Sequence, residues 1–291
     1  MKVAIVGPIF KDEIIINGKH CLQLGSPPYY IGNALTALGV ETTIFGSFGT
    51  KGGWLKELKC KKLIHIKAKG TTKFINEYPY KENPNLRVQR AKICRNKITL
   101  SDFKNHNLRK FDYIIFCPTF HDDISTLLIE KIAKSGAKII LAPQGMIRYL
   151  DGDKIVWKKP EIAINALPHV DFLFLDETES KFITKIDDLF QASRILTEKG
   201  AKTIAITQGE KGSMIFSERK RYKIKAFPPK KLVDPTGTGD SYLAGFVKAL
   251  ELFGNPLGRG EFAAMTATFS IEKKGAFNKT TNEVLRRLNQ N

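Results

Sequence analysis

Cysteine is scarce in this chain, with four in 291 residues. Cys21, Cys60, Cys94 and Cys117 form no C-x-x-C pair and show no zinc-like spacing, so reduced, buried thiols are the default. Histidine is equally thin. His20, His65, His106, His121 and His169 include no i, i+4 pair, which leaves a metal site or a histidine-based triad without support. The G-x-x-x-x-G-K-[ST] phosphate loop is absent, so any phosphate site must be of another design. Long apolar runs are missing too. The longest uncharged stretch, His20 to Val40, carries Gly25, Pro27, Pro28, Gly32 and Asn33 and makes a poor membrane helix. The opening Met1 to Pro8 is soon broken by Gly-Pro and Lys11, unlike a signal peptide. A cytoplasmic protein is expected, with no membrane partner.

Acidic residues are in short supply: 29 Asp and Glu against 47 Lys and Arg give a formal charge of +18. Such an excess fits a nucleic-acid or membrane partner, an anionic substrate or a lysine-rich surface. The basic runs are short (Lys59 to Lys62 around Cys60, Lys158-Lys159, Lys230-Lys231, Lys273-Lys274) and lie between apolar segments, so they read first as solvated faces. With 42% hydrophobic and 26% charged residues the chain can bury an ordinary core, which excludes disorder, collagen and low-complexity arrays. Its length suits one large α/β domain or two small ones.

The apolar pattern argues for α/β. Val3 to Val6 is a short β-branched run closed by Gly7-Pro8 and reads as a buried strand. Glu13 to Asn17 and His20 to Leu24, around Asn17-Gly18-Lys19, read as a hairpin with partly polar faces. Tyr29 to Leu38 has helical spacing and stops at Gly39, ahead of a strand at Glu41 to Phe45. Thr71 to Glu77, a turn around Glu82-Asn83-Pro84-Asn85, and Leu86 to Ala91 alternate as an exposed antiparallel ribbon would. Strand-like runs at Tyr113 to Phe116, Ile139 to Leu141, Phe172 to Leu175 and Thr203 to Thr207 then alternate with helical stretches such as Ile124 to Ser135 and Glu179 to Lys199. That order means βαβ units and a parallel sheet covered on both sides. A hairpin at Met214 to Phe216 and Arg221 to Ala226 precedes helices at Asp240 to Phe253, Arg259 to Lys273 and Thr281 to Leu288.

The segment Leu232 to Phe246 carries the most chemistry. A Gly-x-Gly turn, Gly237-Thr238-Gly239, opens a helix of small residues, and the free amides of a helix start plus its dipole make an anion site. An acid directly after it, Asp240, is out of place beside a phosphate unless it takes the proton from an attacking hydroxyl while the amides of Gly237 to Gly239 hold the transferring group. The alternative is that Asp240 only caps the helix, a role worth about 1 kcal/mol. Valine at Gly237 or at Gly239 is expected to block the phosphate without unfolding the protein.

The whole segment resembles the second signature of the ribokinase family, the PfkB carbohydrate kinases, D-T-G-A-G-D followed by small residues, with Thr238 where the family commonly has Ala. Other segments extend the likeness over nearly the whole chain. Thr207-Gln208-Gly209-Glu210-Lys211-Gly212 is similar to T-x-G-x-x-G, which implies that Thr207, Gly209 and Gly212 lie against a nucleotide; taken alone it is an ordinary strand–turn–strand. Asp176-Glu177-Thr178-Glu179 resembles N-x-x-E with Asp for Asn, and implies that Glu179 and Asp176 help to place Mg2+ through water; a Glu in the first turn of a helix is favoured by the dipole in any case. Gly7-x-x-x-x-Asp12 is similar to the opening G-x-x-x-x-D, whose carboxylate binds substrate hydroxyls. Gly25-Ser26-Pro27-Pro28-Tyr29-Tyr30 stands in the place of G-G-x-x-x-N, with Ser26 for Gly and Tyr30 for Asn. Ala142-Pro143-Gln144-Gly145-Met146-Ile147-Arg148 resembles the D-x-Q-G-x-I-R segment of myo-inositol kinases, with Ala142 for Asp, and implies substrate contacts from Gln144 and Arg148; the alternative for Arg148 is a surface cation near a loop.

The resemblance implies a ribokinase-like α/β fold, a mostly parallel sheet flanked by helices. Residues 1–291 would form one kinase domain with small antiparallel lid strands inserted at about 12–24 and 71–91. It implies ATP-dependent, Mg2+-assisted phosphorylation of a hydroxyl on a small polyol, a sugar or a cyclitol such as myo-inositol, and a homodimer pairing through the lid. The competing readings are a nucleoside kinase of the same fold, with Tyr29 or Tyr30 stacked on a base, and a non-catalytic nucleic-acid-binding protein using the positive charge. The intact Gly237 to Asp240 segment argues against the last, so no specific nucleic-acid partner is expected.

Overall fold

The computed structural model describes residues 1–16, 18–78, 88–92, 94 and 97–290. A nine-stranded sheet forms the body, in the order Lys220–Ile224, Ser213–Ser217, Thr203–Thr207, Phe172–Asp176, Lys138–Leu141, Tyr113–Phe116, Lys2–Pro8, Glu41–Phe48, Lys62–Lys67. The two strands at its first edge pair antiparallel, and every pairing from Thr203–Thr207 to Lys62–Lys67 is parallel. Strand Lys2–Pro8 shows why: after Lys2 it is buried throughout. Val3 and Ile5 enter one apolar core while Ala4 and Val6 enter the other. Successive side chains of a strand point to opposite faces, so both faces need cover. Helices Pro27–Ala37, Thr238–Leu252 and Pro256–Ile271 supply it on the first side; Thr126–Ala133, Glu177–Thr184 and Leu189–Glu198 supply it on the second.

A second, six-stranded sheet runs Arg148–Asp151, Lys154–Trp157, Val88–Lys92, Lys73–Tyr78, Phe10–Ile16, Lys19–Gly25. Its small apolar cluster is Phe10, Phe74, Ala91 and Phe120. The large sheet flanked by helices is the α/β architecture the resemblance implied, and strands from both expected ribbon segments lie in the second sheet. Four details differ. Phe10–Ile16 and Lys73–Tyr78 pair parallel, so the sheet is mixed. Strands Arg148–Asp151 and Lys154–Trp157 join it, turning at Gly152 with φ 62°. Lys62–Lys67 adds an unanticipated edge strand to the large sheet. The helix expected over Glu179 to Lys199 is two, because Lys185 takes the left-handed φ of 63° and Asp188 caps a new start by accepting from the Gln191 N–H at 2.8 Å. The turn expected around Glu82 to Asn85 and the turn residue Asn17 lie outside the described residues. Among the described residues no helix is long and apolar enough to cross a membrane.

Candidate active site

A cavity of roughly 950 Å³ is lined by residues of both sheets, and every site residue named from the sequence borders it: Asp12, Gln144, Arg148, Asp176, Glu179, Thr207, Gly209, Gly212, Gly237, Thr238, Gly239 and Asp240. The segments that carry them are far apart in sequence. The carboxyl ends of parallel strands and the loops after them bring them together, the usual place for a ligand in such sheets.

The helix Thr238–Leu252 starts directly after Gly237, whose φ is 75°. A side chain there would meet the Tyr30 ring at 2.3 Å, so this glycine serves the packing of the turn as well as any ligand. Valine at Gly237 therefore strains the fold, contrary to the expectation above. Gly239 differs: a Cβ on it has no protein atom within 4 Å. First-turn amides have no intrahelical acceptor; the Thr238 N–H turns back to the Pro235 carbonyl at 3.3 Å, and the open face at Gly239 leaves the N–H groups that follow and the positive helix end to an anion. Thr238 fits its place because its Oγ1 donates to the Pro235 carbonyl at 2.7 Å, tying the turn to itself. Asp240 follows, half-buried. Burial pushes its carboxyl up to about 7, while the Arg148 cation pulls the other way.

Arg148 opens the strand Arg148–Asp151, and the short 3₁₀ turn Pro143–Ile147 before it places Gln144. The Gln144 Nε2 donates to Glu179 at 2.5 Å. Glu179 is 4% exposed and sits in a reciprocal capping box: its N–H donates to the Asp176 carboxylate at 2.7 Å, and its own carboxylate accepts from the Asp176 N–H at 3.1 Å. Burial, then the Asp176 charge, raise the Glu179 carboxyl, and Arg148 and Gln144 oppose them. Asp176 and Glu179 are thus joined as one unit with Gln144, and the cap reading holds for both. No group of three or more His, Cys, Asp or Glu that could hold a metal occurs among the described residues. The pair still fits Mg2+, which is commonly bound by one or two carboxylates, water and donor phosphates.

Thr207 ends the strand Thr203–Thr207, and the turn beyond it is glycine-dependent: Gly212 has φ 93°, and a Cβ there would lie 2.0 Å from the Ile224 carbonyl. Asp12 is 6% exposed on strand Phe10–Ile16 with its carboxylate packed against Gly25. The sequence marked two of the hydroxyl residues around it, Ser26 and Tyr30, as departures from a motif, and did not mark Thr119. Ser26, Tyr30 and Thr119 line the same cavity, are 2%, 3% and 3% exposed, and have buried side-chain oxygens without a hydrogen-bond partner among the described residues. Burial, then Asp12, raise the Tyr30 phenol far above its ordinary value, so it remains a neutral O–H donor. Ser26 holds φ 99°, a conformation glycine adopts freely. A serine at the place of the motif's glycine was a visible signal, whereas Thr119 belongs to no motif.

Residues 56–283 match the description "pfkB family carbohydrate kinase", and the chain belongs to that family. It is similar to a nucleoside kinase of Methanocaldococcus jannaschii, 31% identical over 131 residues that cover 45% of this chain and 42% of that one. The chain spans less than half the length of the first curated relatives it matches. Among solved structures, a pyrophosphate-dependent kinase in the ribokinase family, complexed with a pyrophosphate analog and myo-inositol, superposes with a TM-score of 0.82 at 20% identity over 98% of this chain and 99% of that one. Ribokinase of Arabidopsis thaliana complexed with ribose and ATP gives 0.77 at 18% identity over 98% of each. At such identities these likenesses establish the fold.

Proposed function

We propose that the chain transfers the terminal phosphoryl group of ATP to a hydroxyl of a small polyol, with Asp240 as the base that accepts the hydroxyl proton. The observation that carries this is a half-buried carboxylate lifted to about 7 one residue beyond the open glycine of a helix start. A base works best with a pKa near the working pH, and the adjacent amides hold the negative group whose acceptor it activates. Arg148, whose charge acts on both Asp240 and Glu179, is suited to steady charge on the moving group. Asp176 and Glu179 would hold Mg2+ through water; when bound, the ion neutralises phosphate charge.

The acceptor end supports a polyol. Asp12, Asn76, Ser26, Tyr30 and Thr119 line the cavity with hydroxyl-binding groups of both donor and acceptor kind. Another part of the lining, Phe227, Pro228, Leu232, Ala264 and Ile271, is apolar, and Leu232 is 70% exposed. A nucleotide base has use for such a wall; bare pyrophosphate, the donor of the myo-inositol-binding neighbour, has none. A nucleoside acceptor is the second reading, favoured by the aromatic pair Phe10 and Phe74 in the lining, 4.5 Å between centroids, and by the nucleoside kinase relative.

Product release measured with ATP and with pyrophosphate over inositols, hexoses, ribose and nucleosides tests the proposal. ATP with myo-inositol or a related polyol is expected to give the highest kcat/KM. Preference for cytidine, inosine or adenosine overturns the polyol, turnover with pyrophosphate alone overturns the donor, and no turnover with any pair overturns the kinase assignment.

A further inference from the structure

We propose a second anion site, separate from the candidate active site, in a cavity of roughly 520 Å³ at the seam between the two sheets. Its ligand is a small phosphoryl-type polyanion, inorganic or the phosphate tail of a small ester. The site lies where neighbouring parallel strands Glu41–Phe48 and Lys62–Lys67 end and the chain crosses into the second sheet. Lys51 and Lys67 come from the body side, Lys69 from the crossing segment, and Lys11 from the second-sheet strand Phe10–Ile16. Successive strand residues face opposite ways, and Lys11 and its neighbour Asp12 border different cavities. The two cavities therefore sit on opposite faces of one strand.

Charge makes this concavity unusual even on a basic chain. Among the described residues no acidic side chain lines it, and none of the four lysines has an ion-pair partner. Some lysines elsewhere are matched, as Lys61 is to Glu41 at 2.9 Å and Lys134 to Glu130 at 3.1 Å, and others stand alone on the open surface; here four share one hollow. Four ammonium groups around one hollow repel each other, and a multiply charged anion relieves that repulsion by pairing with several at once. Trp54 forms a wall that positions one of them: Lys11 Nζ stands 4.9 Å over its ring, which is braced edge-on against Phe48 at 5.6 Å. The backbones meet there as well. A Cβ on Gly49 would lie 2.9 Å from Gly70, and the Gly49 N–H donates to Thr71 Oγ1 at 3.2 Å. The volume falls within the few hundred to about 1,000 Å³ of small-molecule sites, and an anion in it touches both sheets at their junction.

Equilibrium dialysis with labelled pyrophosphate tests the site. Gly239→Val is the background, since it fills the open face of the other anion turn. One equivalent of pyrophosphate is expected to remain bound, and adding Lys51→Gln, Lys67→Gln and Lys69→Gln, all exposed positions, is expected to weaken it at least about tenfold. Neutralising the exposed Lys97, Lys104 and Lys110 instead removes the same charge elsewhere, and is expected to change binding less than about twofold, since surface charges beyond a Debye length are screened. Absence of binding to Gly239→Val, binding untouched by the first triple change, or equal losses in both triples would each overturn the proposal. The last outcome would reduce it to the general attraction of a +18 chain.

Discussion

Burial at Asp240 has two consequences that pull against each other. It lifts the carboxyl from 3.8 to about 7, which suits a base, and it makes the ionised form costly to the fold. Asp240→Asn keeps the shape and cannot take a proton, so kcat is expected to fall by about 100- to 10,000-fold. The stability effect has the opposite sign. A folded-state pKa above the unfolded one means that the native state binds the proton more tightly, so the contribution is complete below about 4 and lost as pH rises to about 7. The Asn variant, which carries no such charge, should match the parent near pH 4 and exceed it in urea midpoint above pH 7. A midpoint difference independent of pH would remove the buried-charge account, and a variant retaining more than about a tenth of kcat would remove the base.

At the scale of elements, the helix Thr238–Leu252 begins with two glycines that look alike in the sequence and differ in the fold. Gly237 has φ 75° and lies against the Tyr30 ring, so valine there should lower the melting temperature, by more than about 1 kcal/mol of stability. Gly239 has open space, so valine there should leave melting unchanged and cut kcat at least about 100-fold by obstructing the amides. Melting and turnover measured together separate the two, and matched behaviour of the pair would show the turn to be structural only. This contrast was invisible in the motif because it depends on Tyr30, far away in the chain. The parallel strands were legible for a local reason: buried on both faces, they read as short apolar runs closed by breakers. Lys62–Lys67 was not, because its three apolar residues Leu63, Ile64 and Ile66 are interrupted by His65 and closed in by lysines, which leaves neither a continuous apolar run nor a clean alternation. Strands Arg148–Asp151 and Lys154–Trp157 are only four residues each and carry too little pattern to announce themselves. The Gln144–Glu179 bond joins positions 35 apart, which composition and spacing do not reveal.

For the molecule as a whole, the excess of 47 basic over 29 acidic residues sets a field that any anionic ligand must feel. The proposed reaction has one partner that responds to this field and one that does not. A triphosphate donor approaches a cationic protein and a helix start, whereas a polyol is neutral and is held by short hydrogen bonds. Salt shortens the reach of exposed charges to about 10 Å at 0.1 M and leaves buried contacts nearly untouched. Raising the salt from low concentration to about 0.3 M should therefore raise the donor KM several-fold and leave the polyol KM within about twofold of its starting value. Initial-rate measurements with each substrate varied in turn decide the matter. If both constants rise together, the salt is acting on the fold rather than on the field; if neither moves, the positive charge has no part in donor capture and belongs to the solvated surface.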